Sequence, residues 1–387
     1  MNKPRDARTI AAANGIATDT AFGAVTPPLY LSSNYAFATF EQGQAYEYSR
    51  TSNPSRDLLG ETIAKLEKGA GAVVTSSGMA AINLVFDQLK PGDRIVAPHD
   101  CYGGTYRLLC ARRDKGHFDV TFVDQADGEA LSAAFALSPQ LVLVETPSNP
   151  LLRITDIRDL ARRAKAAGAR LVVDNTFLSP ALQQPIALGA DYVIHSTTKY
   201  LNGHSDVVGG AVIAAAEEDV EPLRSWANMT GVTGSPFDAY LTLRGIRSLF
   251  PRIERQEATA QATAEFLAGQ RQVSAVHYPG LASHPGHGIA KSQQSGFGAM
   301  LSFELAGGLE AVRKFVSGIR IFTLAESLGG VESLVAHPAT MTHVGMGAEA
   351  RLAAGIGDGL VRMSVGLEAA DDLLEDLRAS LADAAAA

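Results

Sequence analysis

Between residues 70 and 216 the chain repeats one rhythm: a short apolar, β-branched run, a turn marked by glycine or proline, then a helical stretch. The runs are Ala72–Thr75, Arg94–Ala97, Val120–Val123, Leu141–Glu145, Leu171–Asp174, Tyr192–His195 and Gly210–Ala214. Alternating strands and helices predict an α/β fold with a mostly parallel sheet of seven strands. The runs are continuously apolar, as befits strands covered by helices on both faces. Ligands of such sheets bind beyond the carboxyl ends of the strands, so the residues that follow each run are the ones to inspect.

The flanks have other patterns. Residues 1–60 are punctuated by proline (Pro27-Pro28) and rich in Tyr, Ser and Asn (YEYSRTSNPSR), with little periodicity; they read as an extended N-terminal arm. After Ile253 a long helical pattern, ERQEATAQATAEFLAGQ, leads to further strand runs at Met300–Glu304 and Leu360–Val365. The expected organisation is an arm (1–60), a large α/β domain (61–256) and a smaller α+β domain (257–387), with the alanine tail from Ala384 frayed.

Composition narrows the function classes. A length of 387 residues suits two or three domains. With 46% hydrophobic and 19% charged residues the chain is an ordinary globular mixture. Its formal charge of −8 argues against a nucleic-acid partner or a polybasic membrane binder, so any bound anion must be met by a local arginine cluster. The longest apolar runs, such as Val207–Ala216, are half of what a bilayer span needs, and Asn14 and Gly15 interrupt the apolar patch a secretory signal would require. Two cysteines, Cys101 and Cys110, form no C-x-x-C pair and no metal-ligand spacing with histidine. The expectation is a cytoplasmic protein without a bound metal.

Two strand ends carry the chemistry. Leu171–Val173 runs into Asp174-Asn175-Thr176, and the next strand into His195-Ser196-Thr197-Thr198-Lys199-Tyr200. A lysine can bind an aldehyde cofactor covalently, a carboxylate can keep a pyridine nitrogen protonated, and hydroxyls can hold a phosphate. Taken singly, Lys199 fits a surface lysine and Asp174 a turn cap; only the combination points to a site. Ser76-Ser77-Gly78-Met79, between the first strand and a helix reaching Leu89, adds free N–H groups and a helix dipole suited to phosphate. It is neither the dinucleotide-binding glycine pattern nor a P-loop.

DYVIHSTTKYLNGHSD, with SSGMAA upstream, EYSRTSNP in the arm and TLAESLGGVESL downstream, resembles the Cys/Met-metabolism class of pyridoxal-phosphate enzymes, from about Ala21 to Leu377. The resemblance implies a fold-type I pyridoxal-phosphate transferase, with 61–256 as the cofactor domain. Lys199 would hold pyridoxal 5'-phosphate and shuttle protons, Asp174 would face the ring nitrogen, and Tyr102 would stack on the ring. Gly78, Met79, Ser196 and Thr198 would cradle the phosphate, joined by Tyr48 and Arg50 from a neighbouring subunit of a homotetramer. Arg362, Asn149 and Ser327 would clamp the substrate α-carboxylate.

HDCYGGTYRLL, WANMTGVTGSPFDAYL and GFGAMLSFEL are most similar to the γ-replacing synthases of that class. They imply transfer between O-succinyl-L-homoserine and L-cysteine, with Arg107 meeting the succinyl carboxylate and Glu326 and Glu47 in the substrate site. Gly103-Gly104 after Tyr102 departs from the methionine γ-lyase pattern. Thr51 and Glu47 depart from the enteric synthases, and with YPGLASHPGH they are lyase-like. The alternatives are therefore a γ-lyase or a homoserine sulfhydrylase using sulfide. A non-catalytic protein that kept the fold is the competitor from another class, and would lack the colour of the bound cofactor. Elsewhere His284 and His287 suit a solvated loop, Arg112 and Arg113 an exposed helix face, and Trp226 packing.

Overall fold

The computed structural model describes residues 5–385, with Ala385 described in its backbone alone. All seven predicted strands form: β1 (Gly71–Thr75), β2 (Arg94–Pro98), β3 (Asp119–Val123), β4 (Leu141–Glu145), β5 (Arg170–Asp174), β6 (Tyr192–His195) and β7 (Gly210–Ala214). They make one sheet in the order β1-β7-β6-β5-β4-β2-β3. β7 runs antiparallel to both its neighbours, and the other pairs are parallel.

The continuous apolar runs are resolved by pleating. Leu141, Leu143, Val172, Ile194 and Val212 enter one hydrophobic cluster, with α3 (Gly78–Phe86) and the helix Val220–Thr230. Val142, Val144, Leu171 and Val173 enter another, under the helices Gly128–Phe135 and Ile157–Ala167. Both sets of side chains are buried, which is why the strands show no polar alternation.

The C-terminal part holds a five-stranded sheet in the order β10-β11-β12-β9-β8, from β8 (Val273–His277), β9 (Met300–Leu305), β10 (Thr323–Leu324), β11 (Leu334–Ala336) and β12 (Leu360–Ser364). Here the pattern does alternate. Leu301, Phe303, Val361 and Met363 pack with Phe315, Leu373 and Leu377 in the core. Ser302 and Arg362 face the large sheet, where Ser302 Oγ donates to Pro150 O at 2.6 Å. This period of two places a buried guanidinium opposite the strand ends of the cofactor sheet.

Two helices carry the chain across the expected segment limits: α2 (Pro54–Glu67) and the helix Leu249–Ala268. The arm also contains a helix, α1 (Ala7–Ala13), which the aperiodic reading of residues 1–60 had missed. The tail corrects a second expectation. The last helix, Ala370–Ala385, keeps Ala384 in the core, while 386 and 387 lie outside the described residues. His284 is buried rather than solvated, its Nδ1 accepting from Gly286 N at 3.0 Å, and burial pushes its pKa down to about 4. His287 stacks on Phe297. Arg112 turns inward to Asp87 at 2.7 Å and Asn83, so only Arg113 is as exposed as expected. Trp226 is 39% exposed on its helix, not packed.

Asn53 joins the arm to the body. Its Oδ1 caps α2 by accepting from Ser55 N and Arg56 N, and its Nδ2 donates to Tyr30 O, Tyr35 Oη and Ser49 Oγ. Asn53→Ala should cost about 2 kcal/mol in urea denaturation, combining a lost cap with buried partners left unpaired. It should also make residues 30–49 more sensitive to limited proteolysis.

Candidate active site

The C-terminal ends of β4, β5 and β6, the N-termini of α3 and α4 (Gly103–Asp114), and β12 enclose a cavity of about 440 Å³. Its wall contains Gly78, Met79, Tyr102, Arg107, Asn149, Asp174, Ser196, Thr198, Lys199, Glu326, Ser327 and Arg362. Twelve of the fifteen residues singled out from the sequence therefore meet in one place. Tyr48, Arg50 and Glu47 do not line it. Arg50 instead donates to Asn228 O and Oδ1 at 2.7 and 2.6 Å, and its guanidinium lies 5.6 Å from the Tyr48 ring centroid.

Lys199 lies just past β6, and its Nζ donates to Ser327 Oγ at 2.7 Å. Burial, reinforced by the Arg362 charge and opposed by Glu326, brings its pKa down to about 8. Asp174, at the end of β5, accepts from Thr176 N at 3.0 Å. Desolvation raises its pKa, while bonds from Thr176 and the nearby His195 pull it back. Beneath these strand ends a buried glutamate, Glu67 of α2, bonds His195 Nε2 at 2.6 Å and Asn175 Nδ2 at 2.8 Å. The helix that follows the arm thus pins the residues next to Asp174 and Ser196.

At the opposite wall Arg362 is buried and makes no ion pair with a carboxylate among the described residues. It donates to Asn149 Oδ1 at 2.9 Å and to Ser327 O at 3.0 Å. Even its pKa falls, to about 10, chiefly through desolvation. Ser327 has φ +92°, a conformation side chains rarely adopt, and bonds from Lys199 and Arg362 hold it there. Arg107 lines the cavity, is exposed, and makes no hydrogen bond or ion pair among the described residues. Two guanidinium groups without carboxylate partners in one cavity form an anion site, despite the acidic bulk of the chain.

The residues fit a phosphorylated aromatic cofactor. A Cβ on Gly78 would fall 2.8 Å from Ser196 Cβ, so only glycine lets the α3 N-terminus close on the end of β6. The N–H groups of Gly78 and Met79, the first of α3, have no acceptor among the described residues, and both residues line the cavity with Ser196 and Thr198. A Cβ on Gly104 would fall 2.5 Å from the Tyr102 ring and 3.0 Å from Met79 Sδ, so this glycine admits the close approach of ring and sulfur. Tyr102 is 38% exposed, which leaves a flat ring available for stacking.

The sequence reading missed two parts of the wall. Met341, Thr342 and Val344 reach it from a far segment with no motif of its own. Glu145 closes the end of β4; its position at the C-terminus of a predicted strand was the available signal.

In the cofactor-free protein the rate of Lys199 modification by an amine reagent, followed by peptide mass, should rise with an inflexion near pH 8, because the amine is protonated below that value and neutral above it. An inflexion near the usual lysine value would contradict the desolvated site.

Similarity to known proteins agrees with this geometry. Residues 8–382 match the family model described as Cys/Met metabolism PLP-dependent enzyme. The chain is 56% identical to a cystathionine gamma-synthase of Escherichia coli K12, over 96% of this chain and 97% of that one. It is 49% identical to a cystathionine beta-lyase of Lactococcus lactis subsp. cremoris, over 95% of this chain and 96% of that one. It superposes with a TM-score of 0.98 on a Xanthomonas oryzae cystathionine gamma synthase solved with aminoacrylate and cysteine, at 60% identity, covering 99% of this chain and 100% of that one. The fold is accordingly that of the fold-type I pyridoxal-phosphate enzymes, and no helix among the described residues is long and apolar enough to cross a membrane. The chain belongs to the Cys/Met-metabolism enzymes that depend on pyridoxal phosphate.

Proposed function

We propose that this enzyme carries out γ-replacement, converting O-succinyl-L-homoserine and L-cysteine to L-cystathionine and succinate. In that reaction a Cγ–O bond breaks, a C–S bond forms, and the thiol proton is released. Pyridoxal phosphate, when bound, supplies the electron sink that makes the protons of an amino acid removable. The observation that carries the reading is the cavity's set of cations: a lysine amine with a depressed pKa shares the cavity with a buried arginine held by Asn149 and with Arg107, which has no carboxylate partner among the described residues.

Lys199, neutral above about pH 8, takes a proton from the substrate and returns one to the product. Arg362, held by Asn149 and Ser327, receives the α-carboxylate and fixes the amino acid relative to Lys199. Arg107 receives the distal carboxylate, which a succinyl group carries and an acetyl group lacks. Glu326 offers its carboxylate to the ammonium group of the incoming amino acid. Asp174 would face the ring nitrogen, Tyr102 would stack on the ring, and Gly78, Met79, Ser196 and Thr198 would hold the phosphate.

Tyr48 and Arg50 would complete the phosphate end of a neighbouring copy's site in a homotetramer, and Glu47 would reach that copy's substrate. Two facts support the sharing: none of the three lines its own cavity, and the same arm exposes Phe22 and Phe40 at 96% and 91%.

Lys199→Ala should abolish turnover and the visible absorbance that borohydride removes. Arg107→Ala should lower kcat/KM for O-succinylhomoserine about tenfold or more, with little change for the acetyl ester. Arg50→Ala should weaken cofactor retention on dialysis, whereas an active monomer in sedimentation would contradict the shared site. Mass spectrometry of products from succinyl- or acetylhomoserine with cysteine or sulfide, and from cystathionine alone, tests the reaction. Cystathionine formation supports it; 2-oxobutyrate from cystathionine as the main product would make the enzyme a γ-lyase.

A further inference from the structure

Glu145 is used by none of the steps above, yet it sits in the cavity wall at the end of β4, beside Asp174 in the register of β5. Both of its oxygens are engaged. Oε2 accepts from the backbone N–H of Tyr102 at 2.9 Å, and Oε1 accepts from the backbone N–H of Asn149 at 2.9 Å. Tyr102 begins α4 without a side-chain cap, so this carboxylate supplies a fixed partner at the start of that helix. Asn149 in turn holds Arg362 through Oδ1, and its carbonyl is bonded by His343 Nε2 at 3.0 Å. Desolvation, then the Asp174 charge, pushes the Glu145 carboxyl up, and the two N–H bonds oppose that shift. A carboxyl in such a place costs stability unless both oxygens are satisfied, and here both are.

We infer that Glu145 is a positioning residue that ties the aromatic face of the cofactor site to the carboxylate clamp of the substrate site. It joins Tyr102, before α4, to Asn149, after β4, through a single side chain, while Asp100 ties the same two loops elsewhere by accepting from Ser148 Oγ at 2.7 Å and Arg153 at 3.1 Å. Neither loop has another hydrogen bond joining Tyr102 to Asn149 among the described residues. Shifting either loop by a fraction of an ångström would move the Tyr102 ring or turn Asn149 away from Arg362. The inference rests on the proposed roles of Tyr102 and Arg362, but not on which acyl group or acceptor the enzyme prefers.

The test uses the holoenzyme and Glu145→Gln, which keeps size but offers one acceptor atom where two N–H groups need partners. The probe is L-norvaline, which carries the α-carboxylate and amine but no leaving group, so its binding is read from the visible band without turnover. The variant should bind norvaline about tenfold more weakly or worse, because one of the two backbone N–H groups loses its acceptor. The circular dichroism of the bound cofactor should change, since the ring of Tyr102 moves. Glu145→Asp, which keeps the carboxyl group but falls one methylene short, should show the same pair of changes. Unchanged norvaline affinity and dichroism in a folded Glu145→Gln protein would overturn the inference and leave Glu145 a buried structural carboxyl. Failure of both variants to fold would overturn it in the same way. If wild-type enzyme binds norvaline yet forms no cystathionine, the proposed reaction fails while the role of Glu145 stands.

Discussion

A largely buried amine beside a guanidinium cannot keep its proton as a surface lysine does, and the arrangement of this enzyme follows from that constraint. Burial and Arg362 bring Lys199 to a pKa of about 8, and Glu326 prevents a deeper fall. The price is a cluster of desolvated charges at the meeting of two sheets. Each is satisfied locally: Lys199 by Ser327, Arg362 by Asn149 and Ser327, Asp174 by Thr176, and Glu145 by two backbone N–H groups. Such networks are stable only when every member is partnered.

The two sheets contribute in different ways because their patterns differ. In the large sheet the strand interiors are almost wholly apolar, so the chemistry is displaced to the strand ends, where Glu145, Asp174 and the His195–Lys199 segment emerge side by side. In the smaller sheet β12 alternates, and its polar face delivers Arg362. One set of charges arrives end-on and the other side-on, leaving a gap between them wide enough for a cofactor and an amino acid.

Much of this was readable from the chain. Continuous β-branched runs located the seven strands to within a residue or so, because the central strands are buried on both faces. The second sheet was only partly readable: β10 and β11 are two and three residues long, and β8 is a half-exposed edge whose VSAVH gives no strong signal. Residues at strand ends and in family motifs meet in one cavity, whereas Met341, Thr342 and Val344 belong to it through folding alone. His284 and Arg112 misled because a polar residue was read as exposed, when Gly286 N satisfies one and Asp87 the other. Tyr48, Arg50 and Glu47 stand outside their own cavity, as the proposed sharing of sites between copies requires.

The central claim is that Lys199, and no other lysine, carries the cofactor in the cavity between Asp174 and Arg362. Reduction of the holoenzyme with borohydride, followed by digestion and peptide mass mapping, tests it most directly. The account predicts the mass of a reduced pyridoxyl phosphate on the peptide containing Lys199. The same mass on a peptide lacking Lys199, or on none, would contradict it.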